Sequence, residues 1–120
     1  MTTTSQDERI AKMTISSIYS LYLAKVEKKG RSKAELDQVI CWLTGYNIEQ
    51  LDSFINQRSS FESFFSQATL NSNARLITGM ICGYRIEDIQ NPLTQKVRYL
   101  DKLVDELAKG KKMEKILRNE

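Results

Sequence analysis

An all-α fold, a compact orthogonal bundle of six or seven short helices, is predicted by three observations. Apolar residues recur three and four apart through most of the chain, no segment alternates convincingly with period two, and glycines follow the apolar stretches where helices should stop. The third observation is a phrase used twice, VICWLTGYNIEQL at 39–51 and ITGMICGYRIEDI at 77–89. Each copy runs from an apolar stretch through Gly-Tyr and one variable residue to Ile-Glu. Both read as helix-turn-helix-like corners, with Gly45 and Gly83 as the structural turns.

Residues 1–12 read as a mobile N-terminal tail, and 13–120 as a single helical domain. Ile15, Ile18, Tyr19, Tyr22 and Val26 give the apolar face of the first helix. Its end carries Lys25, Lys28 and Lys29, which suit the negative end of the helix dipole, and Gly30 suits the stop. Ser32 and Glu35 form a capping box for a helix with Leu36, Val39, Ile40 and Leu43 inward. Asn47 and Gln50 repeat that logic for a helix expected to turn Ile48, Leu51 and Ile55 inward, with Phe54 beside them. Ser59 and Glu62 make a third box before Phe61, Phe64, Phe65 and Ala68. After a polar linker at 69–73, a helix carrying Leu76, Ile77, Met80 and Ile81 is expected to stop at Gly83; Thr78-Gly79 offers an earlier end. Ile86 to Ile89 reads as a short helical turn without a good N-cap.

Asn91-Pro92 is a strong start signal, a cap followed by proline at the first helical position. The helix from Pro92 to Lys109 repeats Leu93, Val97, Leu100, Val104 and Leu107, with Leu103 widening the stripe. Lys102 with Glu106, and Asp105 with Lys109, are expected to pair on its wet side. Past Gly110, residues Met113, Ile116 and Leu117 mark a final short helix.

Composition narrows the function. A chain of 120 residues with 41% hydrophobic and 28% charged residues suits one soluble domain with a real core. A net charge of +3 is weak for a dedicated DNA binder. Histidine is absent, which removes the commonest general base and metal ligand. Cys41 and Cys82 both fall in apolar stretches read as helical. They suit small core residues in a reducing cytosol better than a disulfide, a nucleophile or a zinc site. The polar start MTTTSQDER lacks the apolar region of a signal peptide, and the longest apolar run, Val39 to Leu43, is too short to cross a bilayer. The expectation is a cytoplasmic protein with no membrane role and no cofactor.

The segments ICWLTGY at 40–46, LITGMICGYRIEDIQNPL at 76–93 and RYLDKLVDELAKGKKMEKILR at 98–118 resemble a family of small bacterial proteins catalogued as domain of unknown function 2200. The similarity extends from about Met13 to Arg118. It implies a small bacterial protein. It supplies no catalytic or binding residues to carry over, so the functional reading returns to the side chains.

Two basic clusters are candidates for an anion or nucleic-acid patch: Lys25, Lys28, Lys29, Arg31 and Lys33 around the first turn, and Lys109, Lys111, Lys112, Lys115 and Arg118 at the C-terminal end. Their bland reading, solvated helix ends, weighs more. Tyr46 and Tyr84 pack back on the helices they leave, or line a shared pocket. The helix after Gly45 carries Glu49 and Asp52 and no Lys or Arg, which opposes reading of DNA grooves. Asp101 and Asp105, with Arg98 one turn before, lack a third carboxylate to complete a metal cage. The leading function is a non-enzymatic module that binds another macromolecule, a protein partner or a second copy of itself. The alternatives are a weak nucleic-acid binder using the basic helix ends and a small enzyme with a Tyr, Asp, Arg or Cys site at a helix junction.

Overall fold

The computed structural model describes residues 4–118. Among them seven α-helices and one two-stranded hairpin form a mostly-α fold: α1 (Thr4–Lys12), α2 (Ile15–Lys28), α3 (Lys33–Thr44), α4 (Ile48–Asn56), α5 (Phe61–Ser66), β1 (Met80–Ile81), β2 (Tyr84–Arg85), α6 (Pro92–Ala108) and α7 (Met113–Ile116). Short 3₁₀ turns at Ser72–Leu76 and Ile86–Asp88 flank the hairpin.

α6 is the centre. Asn91 caps it, accepting from the Thr94 amide, and Pro92 opens its first turn. Its stripe is wide: Val97, Leu100, Leu103, Val104 and Leu107 are all buried. Against it pack α1, α2, α3, α5 and α7, and the hairpin leans on its outer side. The apolar stripe is enclosed by the chain itself.

The start of the chain departs from expectation. Residues 4–12 form a helix rather than a tail, and Ile10 is buried between α5 and α6. One apolar anchor among charges gives no periodic signal, so tertiary burial decides the conformation; the tail expected at residues 1–3 lies outside the described residues. Thr14 caps α2 and joins Ser60 in a lone antiparallel bridge, which ties the start of α2 to the start of α5. Ser60, not Ser59, is therefore the cap of α5, accepting from the Ser63 amide. The boxes at Ser32/Glu35 and Asn47/Gln50 form as expected.

The two copies of the repeated phrase fold differently. At the first, Gly45 takes the left-handed conformation (φ 76°) and closes α3, its amide donating to the Cys41 carbonyl at 2.9 Å. The linker at 69–71 then crosses this end. The Thr69 and Asn71 amides donate to the Thr44 and Leu43 carbonyls, satisfying groups that a helix end leaves free. At the second copy there is no helix to close. Gly79, at φ 99°, interrupts the run, and Cys82 and Gly83, at φ 51° and 83°, make the two-residue turn of a hairpin. Met80 pairs with Arg85 and Ile81 with Tyr84 across it. Positive φ at both central residues is the signature of the hairpin turn whose twist matches the strands. Ile48 also departs from expectation: it stands 47% exposed instead of facing inward.

Gly45 and Gly83 therefore answer differently to substitution. A Cβ on Gly45 would lie 2.8 Å from the Thr69 carbonyl oxygen, whereas one on Gly83 would meet nothing. Urea melts should show Gly45→Val destabilised by at least about 2 kcal/mol, through strain plus the backbone clash. Gly83→Asn should lose less than about 1 kcal/mol, because Asn tolerates the left-handed region. Equal losses would break the argument.

Candidate functional site

A cleft of about 350 Å³ opens where α1 and α2 diverge over the N-terminal half of α6. Its walls are apolar, with Ile10 from α1, Ile18 from α2, Phe61 from α5 and Val97 from α6. Two large apolar side chains stand on its rim: Leu21, 66% exposed, and Met13, 38% exposed. Helical spacing places Ile18, Leu21 and Tyr22 on neighbouring positions of α2, so one helix supplies wall, rim and floor.

The polar floor comes from α2 and α6. The Tyr22 hydroxyl donates to Oδ1 of Asp101, and Nη1 of Arg98 donates to Oδ2 of the same carboxylate at 2.9 Å. Burial first, then the Asp101 charge, pushes the Tyr22 phenol well above its ordinary pKa, so the hydroxyl remains a donor at neutral pH. The Arg98 guanidinium lies 5.3 Å from the centre of the Tyr84 ring. Tyr84 in turn accepts from Nε2 of Gln6 at 3.0 Å, which fastens α1 to the hairpin. Nε of Arg98 is buried and has no hydrogen-bond partner. Arg9 and Cys82 complete the lining. Arg9 is exposed, and Cys82 is an exposed free thiol in the hairpin turn. This corrects the helical core position expected for that cysteine; Cys41 is partly buried against the core.

Tyr46 and Tyr84 occupy separate settings. Tyr46 is buried, its hydroxyl donates to the Phe64 carbonyl at 2.6 Å, and its ring lies against Phe54 and Phe64. It is a core residue. Tyr84 serves the cleft from behind, through Gln6 and Arg98.

The two basic clusters adjoin. Nη1 of Arg31 donates to the Leu107 carbonyl at 3.2 Å and the Lys111 carbonyl at 2.8 Å, joining the α2–α3 turn to the end of α6. Most of the cations there are engaged. Arg31 pairs with Glu35 at 2.8 Å, Lys33 with Asp37 at 2.7 Å, and Lys25 and Lys109 both with Asp105. Lys111 and Arg118 hold the buried Glu106, with Arg118 in a two-point contact at 2.7 and 2.8 Å. The expected Lys102–Glu106 pair does not form, because Glu106 faces the C-terminal segment and Lys102 reaches the Met80 carbonyl. Lys28, Lys29, Lys112 and Lys115 are exposed and have no ion pair among the described residues.

Among the described residues no group of three His, Cys, Asp or Glu side chains is placed to hold a metal ion, and no helix is long and apolar enough to cross a membrane.

Residues 9–118 match the family model described as "Uncharacterized protein conserved in bacteria (DUF2200)". The chain belongs to this family. The fold is similar to that in the crystal structure of uncharacterized protein SP1917, with a TM-score of 0.87 and 40% identity over 92% of this chain and 91% of that one. No curated protein matches the chain.

Sequence reading missed most of the cleft. Gln6, Arg9 and Ile10 lie in the stretch expected to be a tail, and Cys82 in one expected to be helical; Tyr22 is buried in the core as expected, and its hydroxyl reaches the cleft floor as well. The available signal was Leu21, a large apolar residue outside the apolar face of its helix.

The charge network predicts an acid limb. The Arg31 guanidinium, then the Ser32 amide, hold the Glu35 carboxyl at about 2, against an ordinary 4.5. Burial alone would raise Glu106, but Arg118 and then Lys111 bring it below its ordinary value. A lowered folded-state pKa gives stability that is complete above the unfolded value and disappears as pH falls through the folded one. Glu35's contribution should therefore fade between about pH 4.5 and about pH 2. Urea unfolding of Glu35→Gln should show a smaller drop than the parent between about pH 6 and about pH 3. Parallel curves would show that the pair adds nothing.

Proposed function

We propose that this protein is a non-enzymatic module of the bacterial cytoplasm that binds another macromolecule, with the α1–α2–α6 cleft as its contact surface. The supporting observation is the cleft itself, with apolar walls, a few convergent polar groups and an apolar rim left in solvent. Binding pockets have this composition, and surface leucines of such exposure beside one invite coverage. The side-chain types of a small enzyme also meet there, in Tyr22, Asp101, Arg98 and Cys82. Two observations weigh against catalysis: burial and the Asp101 charge raise the phenol's pKa, and both Asp101 oxygens already accept hydrogen bonds.

The amphipathic dye 1-anilinonaphthalene-8-sulfonate tests the cleft. The expected result is saturable one-site fluorescence that disappears in a Met13→Glu/Leu21→Glu variant, whose Tm should move by less than about 4 °C, because both residues lie on the surface. Fluorescence indifferent to the rim would overturn the reading. Sedimentation at micromolar concentration decides whether a second copy is the partner; a strict monomer removes that form.

The adjoining basic clusters support a second reading, weak capture of nucleic acid by Lys28, Lys29, Lys112 and Lys115. That reading expects an oligonucleotide shift that weakens steeply with salt and is lost when the four lysines become glutamine. A shift that ignores salt, or none at low salt, removes it.

A further inference from the structure

The charges of the cleft do not balance. Two guanidinium groups, Arg9 and Arg98, line it against one carboxylate, Asp101. That carboxylate is already served on both oxygens, by the Tyr22 hydroxyl and by Arg98. Capacity for a new hydrogen bond lies with the cations. Nε of Arg98 is buried without an acceptor, a costly state for a charged donor but one closed to an occupant; Nη2 of Arg98 makes no hydrogen bond, and Arg9 no ion pair, among the described residues. The guanidinium is also held in place, by Asp101 on one edge and by the Tyr84 ring beneath it. An occupant completing this site brings one negative group.

The walls say what accompanies that group. Ile10, Ile18 and Val97 offer only apolar contact, and about 350 Å³ is at the small end for ligand sites. It suits one or two apolar side chains. A free small molecule of that size would still leave Leu21 and Met13 on the rim in water. An occupant that enters the cavity and continues over the rim covers both.

We propose that the cleft takes the C-terminus of a partner polypeptide, with an apolar last side chain between Ile10, Ile18 and Val97 and the free carboxylate on Arg98 and Arg9. This rests on the reading of the cleft as the binding surface. Planar two-point recognition of a carboxylate is what arginine does and lysine does not.

Fluorescence anisotropy with short labelled peptides ending in Leu, Val or Phe, each as the free acid and as the C-terminal amide, tests the proposal. At least one acid should bind, with its amide about tenfold weaker, as expected for loss of a charged hydrogen bond. Arg98→Lys should weaken the acid by a similar factor and leave the amide unchanged. Arg9→Gln, at an exposed site that does not endanger folding, should weaken the acid about threefold. Unlabelled decanoate should not displace the peptide. Equal binding of acid and amide, with both abolished by Leu21→Glu, would overturn the carboxylate inference and leave the cleft as a binding surface. Displacement by decanoate with no peptide binding would overturn it in favour of a small carboxylic acid. Failure of every peptide together with rim-indifferent dye fluorescence would remove both readings.

Discussion

The burial of α6 is the constraint on which the rest of the structure depends. A helix with Val97, Leu100, Leu103, Val104 and Leu107 all inside needs apolar neighbours on most of its circumference, and the chain supplies them from α1, α2, α3, α5 and α7. Truncating any of the three leucines to alanine would leave a cavity costing about 2–5 kcal/mol. The same enclosure draws in a charge. Glu106 is buried only because Arg118 and Lys111 come to it, and that demand folds the C-terminal segment back over α6. Arg31 closes the same end from the other side, on the carbonyls of Leu107 and Lys111. A cluster read from sequence as spare positive charge is in large part the fastening of one helix end.

The repeated phrase shows what local sequence can and cannot specify. Gly45 and Gly83 stand in nearly the same words and both take positive φ, so the turn is legible at each. What enters the turn is not. Before Gly45 lies a capped helix of 12 residues with a continuous buried stripe, and the linker at 69–71 answers its last carbonyls. Before Gly83 the run from Leu76 to Ile81 is cut by Gly79, too early for a helix to form against its nucleation cost. Met80 and Ile81 are left to pair with Tyr84 and Arg85 instead. Apolar spacing over so few residues fits either outcome, and the partner strand decides it.

The candidate site was less legible than the fold, for a related reason. Its parts come from Gln6 to Asp101 and meet only when α1 docks on α6 and the hairpin folds under Arg98. The Arg98–Asp101 pair is local to one helix and was visible as a spacing; Tyr22 and Tyr84 joined it only through tertiary packing. The converse holds for the capping boxes and the Asn91-Pro92 start. These are contacts between residues three apart in sequence, and they form as expected except at α5, where Ser60 caps in place of Ser59 and no reciprocal box with Glu62 forms.

The electrostatics of the cleft bear on what kind of site it is. A catalytic centre needs a group whose protonation changes near working pH, within reach of a reacting atom. Here burial and the neighbouring carboxylate move Tyr22 the wrong way for a base, and Asp101 is occupied in holding the phenol and the guanidinium. The arrangement fixes Arg98 before anything arrives. Fixing a charged fork in advance removes side-chain ordering from the cost of binding, and its benefit goes to affinity and selectivity. Polar groups satisfied by one another on the floor of an apolar cleft, with one guanidinium edge left over, support the proposed reading of the cleft as a site of recognition.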